Sequence, residues 1–105
     1  MKEFTKAQVL EHAQFVKRGK PCSVLPVKLL NADYALELAK AEGVKGFICE
    51  TSDENWCELW IYKRYEMRVI IENLPSKPES QLDHFILGCA FGYSIDAILD
   101  YMGSL

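Results

Sequence analysis

The amino-acid sequence predicts an α+β fold: one small domain, residues 1–105, in the order α-β-α-β-β-β-α-α. A mostly antiparallel sheet of three or four strands is expected to pack against helices, with an αα-hairpin at the C-terminus. Three observations predict this. Residues 6–18 and 32–42 place apolar side chains at helical spacing between capping residues. Residues 44–74 hold three runs rich in β-branched and aromatic side chains. Residues 80–102 return to helical spacing twice, on either side of Gly92.

The first helix, residues 6–18, has Thr5 as its expected N-cap, Gln8 completing a capping box, and Phe4 against Val9 as a hydrophobic staple. Val9, Leu10, Ala13 and Val16 form its buried stripe, and Gly19 ends it. Residues 22–29 read as an extended segment. Pro26 has no N–H to give a sheet, so the segment fits only an edge. Asn31 caps the second helix, whose Ala35, Leu36 and Ala39 make a narrow face suited to lying close on a sheet.

Residues 44–51, 56–63 and 66–74 are expected to form a meander of two hairpins. Pairing Thr51 with Trp56 sets Phe47 beside Trp60 and Cys49 beside Glu58. Pairing Lys63 with Glu66 sets Trp60 opposite Val69 and avoids a Glu58–Glu72 repulsion. The core face is then Phe47, Cys49, Trp56, Trp60, Tyr62, Met67, Val69 and Ile71. The opposite face mixes Ile48, Leu59, Ile61 and Ile70 with Glu50, Arg68 and Glu72, and Cys57 lies between Glu50 and Glu72. Half apolar, that face needs a helix or a partner to cover it. After the two prolines of residues 74–79, Ser80 and Ser94 cap two further helices. Leu82, Phe85, Ile86, Cys89 and Ala90 stripe the first; Ile95, Ile98, Leu99 and Met102 stripe the second.

Composition bounds the function. Half of the residues are hydrophobic and 26% are charged, an ordinary globular balance. No apolar run approaches the ~20 residues that span a membrane, and the polar N-terminus lacks a signal-peptide core, so a cytoplasmic location is expected. Cys22, Cys49, Cys57 and Cys89 form no C-x-x-C pair, and only His12 and His84 could assist them. Buried, reduced thiols are the expected state, with no metal and no cofactor. His12 and His84 read as surface or boundary residues without catalytic neighbours in sequence. The net charge is −3, unevenly spread. Residues 1–30 carry six basic and two acidic groups, whereas residues 78–105 carry Glu79, Asp83, Asp96 and Asp100 and no Lys or Arg. Lys17, Arg18, Lys20 and Lys28 are the one basic cluster, read as a solvated face.

Gly88, Gly92 and Ile98 match the generic spacing of a helix-turn-helix, which the C-terminal pair resembles over about a fifth of the chain. A DNA-reading helix presents Arg, Lys, Asn or Gln to bases and phosphates. The second helix here offers Asp96 and Asp100, so a structural hairpin that lids the core is the stronger reading.

Candidate binding residues concentrate in the β region: Trp56, Glu58, Trp60, Arg64, Tyr65 and Arg68. Tryptophan, tyrosine and arginine are the residues that anchor protein interfaces. No catalytic constellation is visible. The expected function is a non-enzymatic interaction module of adaptor or inhibitor type, working through the aromatic hairpin and a sheet face on a protein partner, a second copy of the chain included. The first alternative is a ligand-binding or enzymatic domain with a pocket around Glu58 and Trp60. The second is a helix-turn-helix regulator.

Overall fold

The computed structural model describes residues 2–105. Its elements are α1 (Lys2–Lys17), β1 (Cys22–Lys28), a short 3-10 turn (Leu29–Asn31), α2 (Ala32–Ala41), β2 (Lys45–Glu50), β3 (Trp56–Tyr62), α3 (Glu66–Glu72), α4 (Gln81–Ala90) and α5 (Ile95–Gly103). The fold is α+β, with one three-stranded antiparallel sheet in the order β1-β3-β2. β3 pairs antiparallel with both neighbours, so β1 and β2 run parallel with β3 inserted between them. α2 makes the crossover, a split βαβ unit. No helix among the described residues is long and apolar enough to cross a membrane.

The β2–β3 hairpin has the expected register: Phe47 opposes Trp60 and Cys49 opposes Glu58. β1 is an edge strand, as Pro26 requires. The third run is a correction. Residues 66–72 form α3, and not a strand against β3. The β3 edge that a second hairpin would use is taken by β1, with Cys22 opposite Tyr62 and Val24 opposite Trp60. Arg64-Tyr65 also lacks the Gly or Asn that a tight hairpin turn prefers. Helical spacing was present alongside the alternation: Met67, Ile71 and Leu74 pack inward together, and Arg68 bonds Glu72 one turn on at 2.7 Å.

The two sheet faces also exchange importance. The main core is the face carrying Leu25, Val27, Cys57, Leu59 and Ile61, expected to be the lesser one. α1 covers it with Val9, Ala13 and Val16, and α2 with Ala32, Ala35 and Ala39. Small residues let α2 lie close on the sheet, as anticipated. The aromatic face is the smaller cluster, in which Cys22, Tyr62, Ile71 and Ala90 are buried with Phe47, Trp60, Met67, Leu74 and Phe91 packed on them. Helices therefore pack on both faces, and on the aromatic face they leave Cys49 exposed and Phe47, Glu58 and Trp60 partly so.

Two caps differ from expectation. α1 begins at Lys2, so Thr5 lies within it and exposed Phe4 forms no staple. Residues 2–4 are helix-compatible, and Glu3 favours the first turn. Asn31 stands at the N-cap of α2, but its side chain makes no capping bond. Ser80 and Ser94 do cap: each hydroxyl accepts at 3.1 Å, from the amides of Asp83 and Ala97. Between α4 and α5, Gly92 takes φ +83°, the left-handed geometry that ends a helix.

Candidate functional site

A cleft of about 520 Å³ opens between the aromatic sheet face, α3 and α4. β3 supplies Glu58 and Trp60, and β2 supplies Phe47 and Cys49. These four share a face because strand residues two apart do and the register sets them opposite one another. α3 contributes Ile71 and Glu72, the following linker Leu74, Pro75 and Ser76, and α4 contributes Leu87 and Phe91. The Trp60 and Phe91 rings stack at 6.0 Å, nearly parallel at 17°. Phe47 meets Tyr62 edge-on at 6.1 Å.

Arg68 stands beside the cleft. Its guanidinium lies 4.1 Å from the centre of the Phe47 ring, and its Nε donates to Glu72 Oε1. Hydrogen bonding to Glu72, then to Tyr62, holds its pKa above the ordinary arginine value. Glu58 is half-buried and, among the described residues, makes no hydrogen bond or ion pair.

The six residues singled out in the sequence separate into three places. Glu58 and Trp60 meet in the cleft, with Arg68 at its margin. Trp56 sits at the start of β3, exposed, with Lys28 Nζ 6.0 Å from its ring centre. Arg64 and Tyr65 occupy the turn into α3, where Arg64 pairs with Glu66 at 3.5 Å and Tyr65 projects into solvent. The remaining cleft residues, Phe47, Glu72 and Phe91 among them, are not of the six. Phe47 was legible from its pairing with Trp60. Glu72 was assigned to the wrong face by the strand reading of α3. Phe91 lies outside the α4 stripe that the periodicity predicts.

The second candidate surface is the set of apolar side chains that α4 and α5 leave exposed. α5 packs on α4 through Ile98, which approaches Gly88 closely enough to fill the space of a missing side chain. α4 faces the aromatic cluster with Ala90 and Phe91. Of the stripes expected to be buried, Ala90 and Ile98 are buried and Phe85 and Met102 half-buried, whereas Leu82 is 65% exposed, Ile86 38%, Ile95 53% and Leu99 52%. Exposed Cys89 continues the α4 stripe, and Asp96 and Asp100 flank that of α5. The pair thus lids the aromatic face with α4 alone. A hollow of about 400 Å³ lies where α4 and α5 diverge, with His84 and Tyr101 edge-on at 5.5 Å.

Two of the four thiols, Cys22 and Cys57, are buried and disposed against forming a thiolate. Burial pushes the Cys22 thiol up to about 11, against a smaller opposing effect of Lys20, and its Sγ donates to Ala90 O at 3.2 Å. Burial, then Glu58, raises Cys57. Glu50 opposes Cys57, but Glu72 lies across the sheet in the cleft, so the expected carboxylate–thiol–carboxylate row does not form. Cys49 and Cys89 are exposed, which corrects the expectation that all four thiols are buried. His12 Nδ1 shares a hydrogen bond with Ser23 Oγ. Ser23 is fully buried beneath α1, so this pair ties a helix to a strand and offers no nucleophile to solvent. Among the described residues no group of three His, Cys, Asp or Glu is placed to hold a metal ion. The basic cluster disperses: Lys17 pairs with Glu42 at 3.6 Å, Lys20 lies near Phe15 and Phe91, and Lys28 near Trp56. In comparison with known proteins, the chain matches no family model and no curated sequence.

Proposed function

We propose that this protein is a non-enzymatic cytoplasmic interaction module, and that it docks a basic amphipathic helix of a partner protein on the exposed apolar side chains of α4 and α5. One observation carries the reading: Leu82, Ile86, Ile95 and Leu99 are exposed at helical spacing on adjacent helices. Apolar surface of this kind, rimmed by polar residues, is characteristic of interfaces, and burying each such side chain contributes about 1.5–3 kcal/mol. Charge selects the occupant. Residues 78–105 carry four carboxylates and no Lys or Arg, so a partner with Lys or Arg flanking its apolar stripe is complementary. A second copy docked face to face would oppose like charges. The main sheet face is covered by α1 and α2, and the aromatic face is covered in part by α3 and α4. Four free cysteines suit a reducing compartment. A nucleic-acid role is not favoured by carboxylates on α5.

The test uses two synthetic helical peptides, one of Leu and Lys and one of Leu and Glu, titrated into isotopically labelled protein. The Leu–Lys peptide is expected to shift α4 and α5 amides saturably, and Leu99→Ser to weaken it about tenfold. Equal binding of both peptides, shifts confined to other elements, or self-association through the same residues would overturn the proposal.

A second reading is favoured by the cleft. Its size suits a small ligand, and apolar walls with a few placed polar groups are the usual lining of such sites.

A further inference from the structure

We infer that the cleft between the sheet and α3–α4 binds an organic cation, an alkylammonium or alkylguanidinium group on an apolar stem; this rests on the ligand-cleft reading above. The chain's own side chains display the chemistry once already. Arg68 is held by the face of Phe47 at 4.1 Å and by the Glu72 carboxylate at 2.7 Å. An aromatic face attracts a cation through its quadrupole, and a carboxylate adds a charged hydrogen bond.

The adjacent strand repeats that pairing of groups. Glu58 and Trp60 lie two residues apart on one face of β3, directly opposite Cys49 and Phe47. Stacking on Phe91 fixes the Trp60 ring. Glu58 is half-buried and makes no hydrogen bond or ion pair among the described residues, while Glu72 is already engaged by Arg68. Glu58, Glu72 and Arg68 together leave a single negative charge at the cleft, which favours a monocation over an anion. The apolar walls, Ile71, Leu74 and Leu87, suit an alkyl stem and no large polar group.

The experiment titrates isotopically labelled protein with butylguanidinium, butylammonium and neutral butanol. Both tryptophan indole N–H signals are followed. The cations are expected to shift Trp60 saturably and leave Trp56 in place, with butanol at least about tenfold weaker. Glu58→Gln should weaken the cations to the level of butanol. Added sodium chloride should weaken cation binding to the unaltered protein and leave butanol unaffected, a readout that stands whatever the variant does to the fold. A capped Gly-Arg-Gly peptide distinguishes the two sources: tighter binding than butylguanidinium assigns the cation to a partner's side chain, weaker binding to a free amine. Equal affinity for cation and butanol overturns the cation inference while leaving the cleft a ligand site. No shift of Trp60 with any probe overturns both.

Discussion

His12 joins α1 to β1 through Ser23, and its titration bears on stability. Burial holds it below the ordinary imidazole value; Lys20 acts in the same direction and Glu11 against it. The unfolded chain therefore takes up this proton first as pH falls. The contribution is fully present above about pH 6.5 and is lost as pH falls below that value through the folded pKa. The urea midpoint should fall between about pH 7.5 and about pH 5.5. His12→Gln, which keeps a hydrogen-bonding partner for Ser23, should flatten that part of the profile; an unchanged profile would assign the pH dependence elsewhere. The cysteines make a second residue-scale test. Cys49 and Cys89 are exposed, whereas Cys22 is buried with its thiol pushed up to about 11 and Cys57 is buried and raised as well. Since the thiolate is the reacting species, a disulfide reagent at neutral pH should titrate two thiols rapidly in the native protein and all four in denaturant. Four rapid thiols would mean that the sheet opens readily.

At the scale of elements, the α4–α5 contact turns on Gly88. A Cβ built there would meet Ile98 Cγ1 at 2.7 Å and Cδ1 at 2.9 Å. Alanine improves helix propensity over glycine by about 1 kcal/mol, while overpacking a close contact costs about 1–3 kcal/mol. The clash should win, so Gly88→Ala is expected to loosen α5. Amide exchange should accelerate in α5 and stay unchanged in β3; uniform acceleration would instead place this contact inside the global unfolding unit. The elements differ in how far sequence revealed them. The β2–β3 register was legible because only one pairing aligns Phe47 with Trp60 across the short turn. Ser80 and Ser94 were legible because a hydroxyl cap acts within three residues. α3 was not, because Val69, Ile70 and Ile71 suit a strand locally. The occupation of the β3 edge by β1, some forty residues earlier in the chain, decides against it. The α4 stripe was legible only in part for a related reason. Of Leu82, Phe85, Ile86, Cys89 and Ala90, Ala90 alone is buried, while Leu87 and Phe91 are also apolar and line the cleft, so periodicity alone does not say which side faces the sheet.

The whole molecule is layered, with α1 and α2 on one side of the sheet, α3 and α4 on the other, and α5 outboard on α4. Its radius of gyration of 14.2 Å exceeds the roughly 13 Å typical of a chain this long, in keeping with that outboard helix. The cleft was legible as Glu58 and Trp60 in β3 with Cys49 and Phe47 opposite them in β2. The rest of it comes from Val24 of β1, α3, a proline-containing linker and α4, and their convergence is a property of the tertiary fold. Unequal layers imply unequal stability. The α1–α2 side buries Leu25, Leu59 and Ile61 completely, while the other side relies on half-buried aromatics and a short α3. Leu59→Ala removes atoms from the dense side and should cost about 2–5 kcal/mol, with all elements unfolding together. Phe91 is only half-buried, yet it closes the cleft, stacks on Trp60 and lines the hollow beside α5. Phe91→Ala should therefore cost less globally and release α4 and α5 as a unit, seen as fast amide exchange from residue 81 onward with β1 and β3 still protected. It should also abolish the cation-induced shift of Trp60, since the ring then loses the neighbour that fixes it. A Phe91→Ala protein that unfolds in one step with every strand exposed would show instead that the two layers form a single cooperative core.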